Sequence, residues 1–384
     1  MTSDPTPRDL VVVSLEAWDD VWRRNQHLLH GLLQRDRALR VLFVEPPHDQ
    51  LHSLVTGRGF AHGSGTRAHP DYEGRLVLFQ PTKLLPRLLG GAADASWRRQ
   101  VLRETARLGM QHPIIWVNDA QGAEIVRNRD WPALYDITDD WLAAPRPPRV
   151  RRRLARNEET LLEVCREVVV CSPALASSRG SRRSVRLIPN AVDVESYREP
   201  SVRPPDLAGH AALYVGTLHE DRLDLALIVQ TARRLGREGT VTLIGPDALS
   251  SRVRERLGDA GVLILGPRPH TQIPAYLQNA DVLLVPHVVD HFTESLDPIK
   301  LYEYLASGSP VVSTPVAGFR ESRAPGLDIA TVEEFPDLVL AAVRAPTRIP
   351  PTEDIPDWAL RVADMAAVLE ALYVDGHVPS GKFT

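Results

Sequence analysis

Short apolar runs rich in β-branched residues alternate with stretches of helical period along nearly the whole chain, the pattern of parallel sheets covered by helices on both faces. In the first half the runs predict strands at Leu10–Leu15, Val41–Val44, Leu76–Phe79, Ile114–Val117, Ala133–Ile137, Val168–Cys171 and Val185–Ile188. Helical spacing at Val21–Gln34, Ser96–Gly109 and Arg149–Glu167 fits between them. A strandless, proline-rich passage at Val202–Gly209 then breaks the alternation and reads as a linker. A second series follows, with strands at Ala212–Val215, Val241–Ile244, Val262–Leu265, Val282–Val285 and Val311–Ser313, and helices near 223–236, 248–257, 271–279, 298–307 and 331–343. The expected organisation is a first domain over 1–200, a second over 205–345, and a tail over 346–384 whose helix near Trp358–Val374 returns to the first domain. Both domains read as doubly wound, and such sheets bind ligands beyond the carboxyl ends of their strands.

One stretch, His48–Gly74, has no period; its five glycines and four histidines (His48, His52, His62, His69) read as a loop, with a zinc site left open by the spacing. Elsewhere composition removes options. No apolar run approaches the ~20 residues that span a bilayer, and the first ten residues lack the basic and apolar regions of a signal peptide, so a cytoplasmic location is expected. Cys165 and Cys171 match neither a disulfide framework nor a zinc knuckle, and reduced buried thiols are expected.

The net charge of −4 conceals two opposite halves: residues 1–200 carry 29 basic and 25 acidic groups, residues 201–384 carry 16 and 24. The densest basic cluster, Arg146, Arg149, Arg151, Arg152, Arg153 and Arg156, reads either as a solvated helix face paired with Glu158, Glu159 and Glu163 or as a peripheral contact with an anionic membrane surface. Of 45 bases only Lys83, Lys300 and Lys382 are lysine. Each is a candidate for a place where a compact ammonium differs from a planar guanidinium.

Several chemistries lose support. There is no P-loop pattern, no strict DxD pair and no nucleophile elbow, and the glycine-dense segment 57–65 lacks the dinucleotide-binding spacing. The informative segment is 280–315, ADVLLVPHVVDHFTESLDPIKLYEYLASGSPVVSTP, which reads as a buried strand, a loop, and a helix opening at Pro298. Lys300 in the first turn and Glu303 one turn later share a face. Unpaired N–H groups at a helix start, with a lysine beside them, suit a diphosphate, and the next carboxylate suits vicinal hydroxyls. The plainer alternative makes both residues helix-surface charges.

These residues resemble a family. PIKLYEYLASGSPVV, with IPNAVD at 188–193, YVGTLHEDR at 214–222 and LGPRPHTQIPAYLQNADVLLVP at 265–286, is similar to the second half of retaining, family 4-like GT-B glycosyltransferases, in particular the branch with teichuronic acid-type enzymes. WDDVWRRNQHLL, VLFVEPP and YDITDDW in the first half resemble that branch too. The resemblance implies an α/β GT-B fold, two doubly wound Rossmann-like domains facing a central cleft. It also implies transfer of a sugar from a nucleotide-diphosphate donor, with UDP or GDP as the nucleotide, to a small-molecule or glycan acceptor. Retention at the anomeric carbon, no metal, no separate cofactor and no nucleic acid are part of the same expectation, as is a place in secondary-metabolite or cell-envelope glycan biosynthesis.

Position by position, the resemblance puts Glu303 on the ribose hydroxyls and Lys300 and Arg222 on the phosphates, with Pro298 and Ile299 at the helix start. Gly216 and His219 belong to the turn near the donor, Arg268 and Pro269 to the loop along the base. Two positions depart from the family pattern, Thr217 in place of a phosphate-binding arginine and Ser295 in place of a glutamate. The implied mechanism is front-face attack, the departing phosphate taking the acceptor proton while Arg222 and Lys300 stabilise it. On the acceptor side Asp119, Asp139, Asp140, Trp18 and His27 are candidates, with a helix cap as the alternative for Asp139 and a core histidine for His27. A sugar-nucleotide epimerase or hydrolase and a non-catalytic partner subunit are the competing readings.

Overall fold

The computed structural model describes residues 8–49, 64–83, 91–350 and 354–376. The chain divides into two compact units, one formed by residues 1–18, 25–188 and 362–384, the other by 19–24 and 189–361. Residues 189–200 and 346–361, grouped in the sequence reading with the first domain and the tail, therefore cluster with the second unit. So does the short segment 19–24. Among the described residues no helix is long and apolar enough to cross a membrane.

The first unit holds strands β1 (Arg8–Val13), β2 (Leu39–Val44), β3 (His48–Asp49), β4 (Gly65–Ala68), β5 (Leu76–Gln80), β6 (Thr82–Lys83), β7 (Ile114–Val117), β8 (Ala133–Ile137), β9 (Glu167–Val170) and β10 (Arg186–Leu187). Eight of them form one sheet in the order β10-β9-β8-β7-β1-β2-β5-β4, with β3 and β6 paired apart. All ladders of the large sheet are parallel except β4 with β5. The aperiodic stretch thus contains a strand, β4, which among the described residues pairs along one side and alternates half-buried with exposed positions, leaving little apolar signal in the sequence. Residues 50–63, with His52 and His62, lie outside the described residues. Both cysteines are buried thiols outside any disulfide among the described residues; Cys171 Sγ lies 3.0 Å from the Thr138 carbonyl, and burial pushes the Cys165 thiol up to about 12. The final helix, Trp358–Gly376, belongs from Val362 onward to this unit, where Arg8 donates to Glu370 at 2.8 Å.

The second unit is a six-stranded parallel sheet of β11 (Ala211–Val215), β12 (Thr240–Ile244), β13 (Leu263–Gly266), β14 (Val282–Val285), β15 (Val311–Ser313) and β16 (Leu327–Ile329), in the order β13-β12-β11-β14-β15-β16. Strand order reverses between β11 and β14, which makes the loops after those two strands the expected ligand site. Alternating side chains feed two cores. Ala212, Tyr214, Leu284 and Val312 pack with the helices Leu225–Leu235 and Phe335–Arg344. Leu213, Leu283, Val285 and Val311 pack with the helices Ile273–Asn279 and Ile299–Ser307. The last of these stops at Gly308, whose φ of 70° is left-handed and whose Cβ would lie 2.5 Å from the Ile349 carbonyl. Strand β16 escapes the sequence reading because it is three residues long and mostly exposed.

Candidate functional site

At the carboxyl end of β11 the chain passes through Gly216, at φ 150°, where a Cβ would sit 2.8 Å from Tyr214 Oη and 2.9 Å from Lys300 Nζ. The lysine comes from the helix Ile299–Ser307. Pro298 is its N-cap, not its first helical residue, with ψ 120°. Lys300 Nζ donates to Tyr214 Oη at 3.0 Å and lies 3.4 Å from His287 Nε2; Tyr214 Oη and His287 Nε2 are 3.2 Å apart. His287 follows β14, so a lysine, a tyrosine and a histidine meet where strand order reverses. Burial, then the charges of Lys300 and Arg222, hold His287 well below the ordinary histidine range. The sequence reading contains Lys300 and Gly216 but neither Tyr214 nor His287. An inward-facing tyrosine next to a glycine and a histidine just past a strand are each ordinary in sequence.

Arg222 sits in the same place, its guanidinium 4.9 Å above the Phe292 ring. Among the described residues it has no carboxylate partner. Its charge and that of Arg23, with loss of solvent as the larger cause, lower the pKa of the half-buried His219. Thr217 is half-buried in the same turn, its carbonyl accepting from the His219 amide. Glu303 is half-buried and makes no hydrogen bond or ion pair with a described residue. Loss of solvent pushes its carboxyl up to about 7, against the pull of Lys300. A carboxylate in that condition gains from hydroxyl donors that a ligand would bring.

Other candidates are committed to the fold. Arg268 donates to Asp206 at 2.6 Å, to Tyr276 Oη at 2.9 Å and to the carbonyls of Leu265 and Pro267, so it braces its loop. Pro269 begins the turn His270–Gln272. Trp22 stacks on His270 with ring centroids 3.8 Å apart, and the His270 amide donates to the Asp20 carbonyl, which explains why segment 19–24 groups with this unit. Ser295 is buried and its hydroxyl donates to the Phe292 carbonyl. The neighbouring Glu294 is held by Arg320 through two contacts of 2.8 Å. Asp297, absent from the sequence reading, ties the segment IPNAVD to the lysine helix: it accepts from the Asn190 amide and from Tyr302 Oη, while Arg24 holds the Asn190 side chain.

The first unit brings its candidates together less. Asp140 has both oxygens taken by Arg179, at 2.8 and 2.9 Å, and Arg179 also reaches Glu158. Burial raises the Asp140 carboxyl but those bonds outweigh it, leaving its pKa lowered. Trp18 is buried, packed edge-on against Phe43 and Tyr72. Asp119 caps the turn Ala120–Gly122 by accepting from the Gln121 amide at 2.8 Å. Asp139 follows β8 with Thr138 Oγ1 3.4 Å away; the next helix is Pro148–Val164, too far along the chain for Asp139 to cap. His27 is half-buried on the helix Arg24–Arg35. Of the arginine cluster, Arg153 pairs with Asp94 at 2.6 Å and Arg146 lies over the Trp141 ring, whereas Arg151, Arg152 and Arg156 are exposed.

Residues 209–345 match the family described as glycosyl transferases group 1, placing that domain in the second unit. The chain is 26% identical over 211 residues to the putative teichuronic acid biosynthesis glycosyltransferase TuaH of Bacillus subtilis, covering 50% of this chain and 52% of that protein. It thus spans about half the length of this curated relative. Among solved structures, Anabaena HepE, in complex with UDP and glucose, aligns with a TM-score of 0.65 at 13% identity, over 95% of this chain and all of that one. A UDP-forming α,α-trehalose-phosphate synthase from Burkholderia vietnamiensis aligns with a TM-score of 0.60 at 13% identity, over 97% and 96%. The fold is that of GT-B glycosyltransferases, an α/β architecture of two Rossmann-like units.

Proposed function

We propose that this chain, whose second unit carries a glycosyl transferases group 1 domain, is a glycosyltransferase that moves a sugar from a nucleotide-diphosphate donor to an acceptor hydroxyl with retention of configuration. The observation that carries the reading is the convergence of Lys300, Arg222 and the unpartnered Glu303 around the strand-order reversal of the second unit. Glu303 accepts from the two ribose hydroxyls. Lys300, Arg222 and the amides opening the helix Ile299–Ser307 take the diphosphate, with Pro298 setting the approach. Two fixed cations supply the charge that a metal would otherwise bring, so the reaction is metal-independent.

In the step itself the bond from the anomeric carbon to the phosphate oxygen lengthens, and its electron pair goes to the phosphate facing Lys300 and Arg222. The acceptor oxygen bonds to the same face of the sugar, and its proton passes to the departing phosphate. Asp139 and His27 of the first unit are the candidates for binding acceptor hydroxyls. The exposed Arg151, Arg152 and Arg156 favour an acceptor held at an anionic surface, which co-sedimentation with phosphatidylglycerol but not phosphatidylcholine vesicles would register.

A thermal-shift comparison of UDP, GDP, dTDP and ADP tests the donor site, since a ligand at 100 times its Kd adds ~2.7 kcal/mol. UDP or GDP is expected to raise the melting temperature; four flat results would remove the donor site. NMR of the product anomer tests retention. Release of free nucleotide without any acceptor would identify a hydrolase instead.

A further inference from the structure

We propose that Tyr214 and His287 are positioning residues that hold the Lys300 ammonium at one point of the second unit's strand-order reversal, and that the group it is held for is the diphosphate of the donor. The inference deepens the donor-site reading and rests on it.

A lysine has four flexible carbons between backbone and charge, so an exposed one places its ammonium loosely. Lys300 is confined instead. Its Nζ donates to Tyr214 Oη at 3.0 Å and is 3.4 Å from His287 Nε2. Tyr214 Oη, using its own hydrogen, reaches His287 Nε2 at 3.2 Å. The order of donors is set by chemistry: an ammonium cannot accept, so the phenol accepts from it and donates onward, and Nε2 must carry no proton. Both supports are themselves fixed. Tyr214 is buried on β11, and the His287 amide and carbonyl are both bonded to Thr314 Oγ1, at 3.2 and 2.8 Å. Gly216 completes the seat, because any side chain there would meet the ammonium and the phenol at under 3 Å.

This arrangement explains a compositional oddity. In a chain where 42 of 45 bases are arginine, a lysine persists at 300. A guanidinium is planar and wide; an ammonium fits between a phenol oxygen, an imidazole nitrogen and a glycine Cα. One of the ammonium's three hydrogens goes to the phenol oxygen, the imidazole beside it limits where the ammonium can move, and the remaining hydrogens are left for an anion.

The test is a double-mutant cycle read by titration calorimetry with whichever of UDP, GDP, dTDP and ADP stabilises the wild type most, alongside melting temperature. Lys300→Ala should weaken binding about 30-fold, and Lys300→Arg nearly as much. Tyr214→Phe should weaken it about fivefold in the wild type and by less than twofold in the Lys300→Ala background, because its action passes through the lysine. His287→Gln, which keeps an acceptor, should lose less than His287→Leu, and covers the case in which the leucine variant fails to fold. Full binding by Lys300→Arg, or a Tyr214→Phe loss that persists undiminished in the Lys300→Ala background, overturns the proposal. Unchanged binding in Lys300→Ala would remove the donor-site reading itself, a separate outcome.

Discussion

The two units share a parallel sheet whose strand order reverses once, and they fill that reversal point with different chemistry. In the first unit the reversal lies between β1 and β7. There Asn25 Nδ2 bonds to Ser14 Oγ and Asn118 Oδ1, Asn118 Nδ2 bonds to the Asp136 carbonyl, and Asn118 Oδ1 also receives the Leu15 amide. These are neutral groups bonded mostly to one another and to backbone, and the adjacent carboxylate of Asp119 caps the turn Ala120–Gly122, so the work done here is to join loops. In the second unit the same position, between β11 and β14, holds Lys300 and buried His287, with Arg222 and Glu303 nearby and without carboxylate or cationic partners among the described residues. Charges left half-buried are costly unless something arrives to satisfy them. Binding chemistry therefore stands out in the second unit and not in the first.

Removing the charges should break the contrast most visibly. Glu303→Ala and Lys300→Ala are each expected to lower kcat/KM for sugar transfer by about 100-fold or more, the first by removing the acceptor of the ribose hydroxyls and the second by removing a charge that faces the departing phosphate, with circular dichroism unchanged. Near-normal turnover in both would make the two reversal points equivalent. In the first unit Arg179→Ala should cost about 3–5 kcal/mol of stability, because it strands Asp140 and Glu158, while leaving the donor KM within twofold. Denaturant unfolding alongside donor titration separates the two effects.

Two smaller effects sharpen the comparison. A Glu303 carboxyl held at about 7 is protonated below that value and then accepts poorly, so nucleotide affinity should fall as pH drops from about 8 to 6. The linkage to stability has the opposite sense: the folded form binds the proton more tightly than the unfolded one, so this contribution is present at low pH and lost as pH rises through about 7. Glu303→Gln should flatten both slopes in paired calorimetric and melting series. Smallest of all, Asp139→Asn is expected to raise the acceptor KM by roughly tenfold, the value of one hydrogen bond to a charged group, and to leave nucleotide affinity untouched. A change in nucleotide affinity instead would show that the acceptor assignment is misplaced.

Much of this was legible beforehand for physical reasons. Strands such as Val282–Val285 are buried on both faces, so they read as unbroken apolar runs, and Gly308 marks a helix end because only a left-handed residue fits there. Lys300 and Glu303 were legible through helical spacing, a local rule. Asp140 and Arg268 were not separable from ligand-binding residues, since their partners Arg179 and Asp206 lie 39 and 62 positions away. Trp18 reads as an acceptor-side candidate for the same reason, its partner Tyr72 being distant in sequence.

The amino-acid order alone thus determined the alternation of strand and helix, the division into two doubly wound halves, and the pair Lys300 and Glu303 on one helix face. Those follow from contacts between residues a few positions apart. Only the tertiary structure decided which charges are spent on the fold and which stand open, and that Lys300 rests on Tyr214 and His287, 86 and 13 residues away. The physical reason is that a charge acquires its role from what surrounds it, and its surroundings are assembled from segments that the chain brings together only on folding.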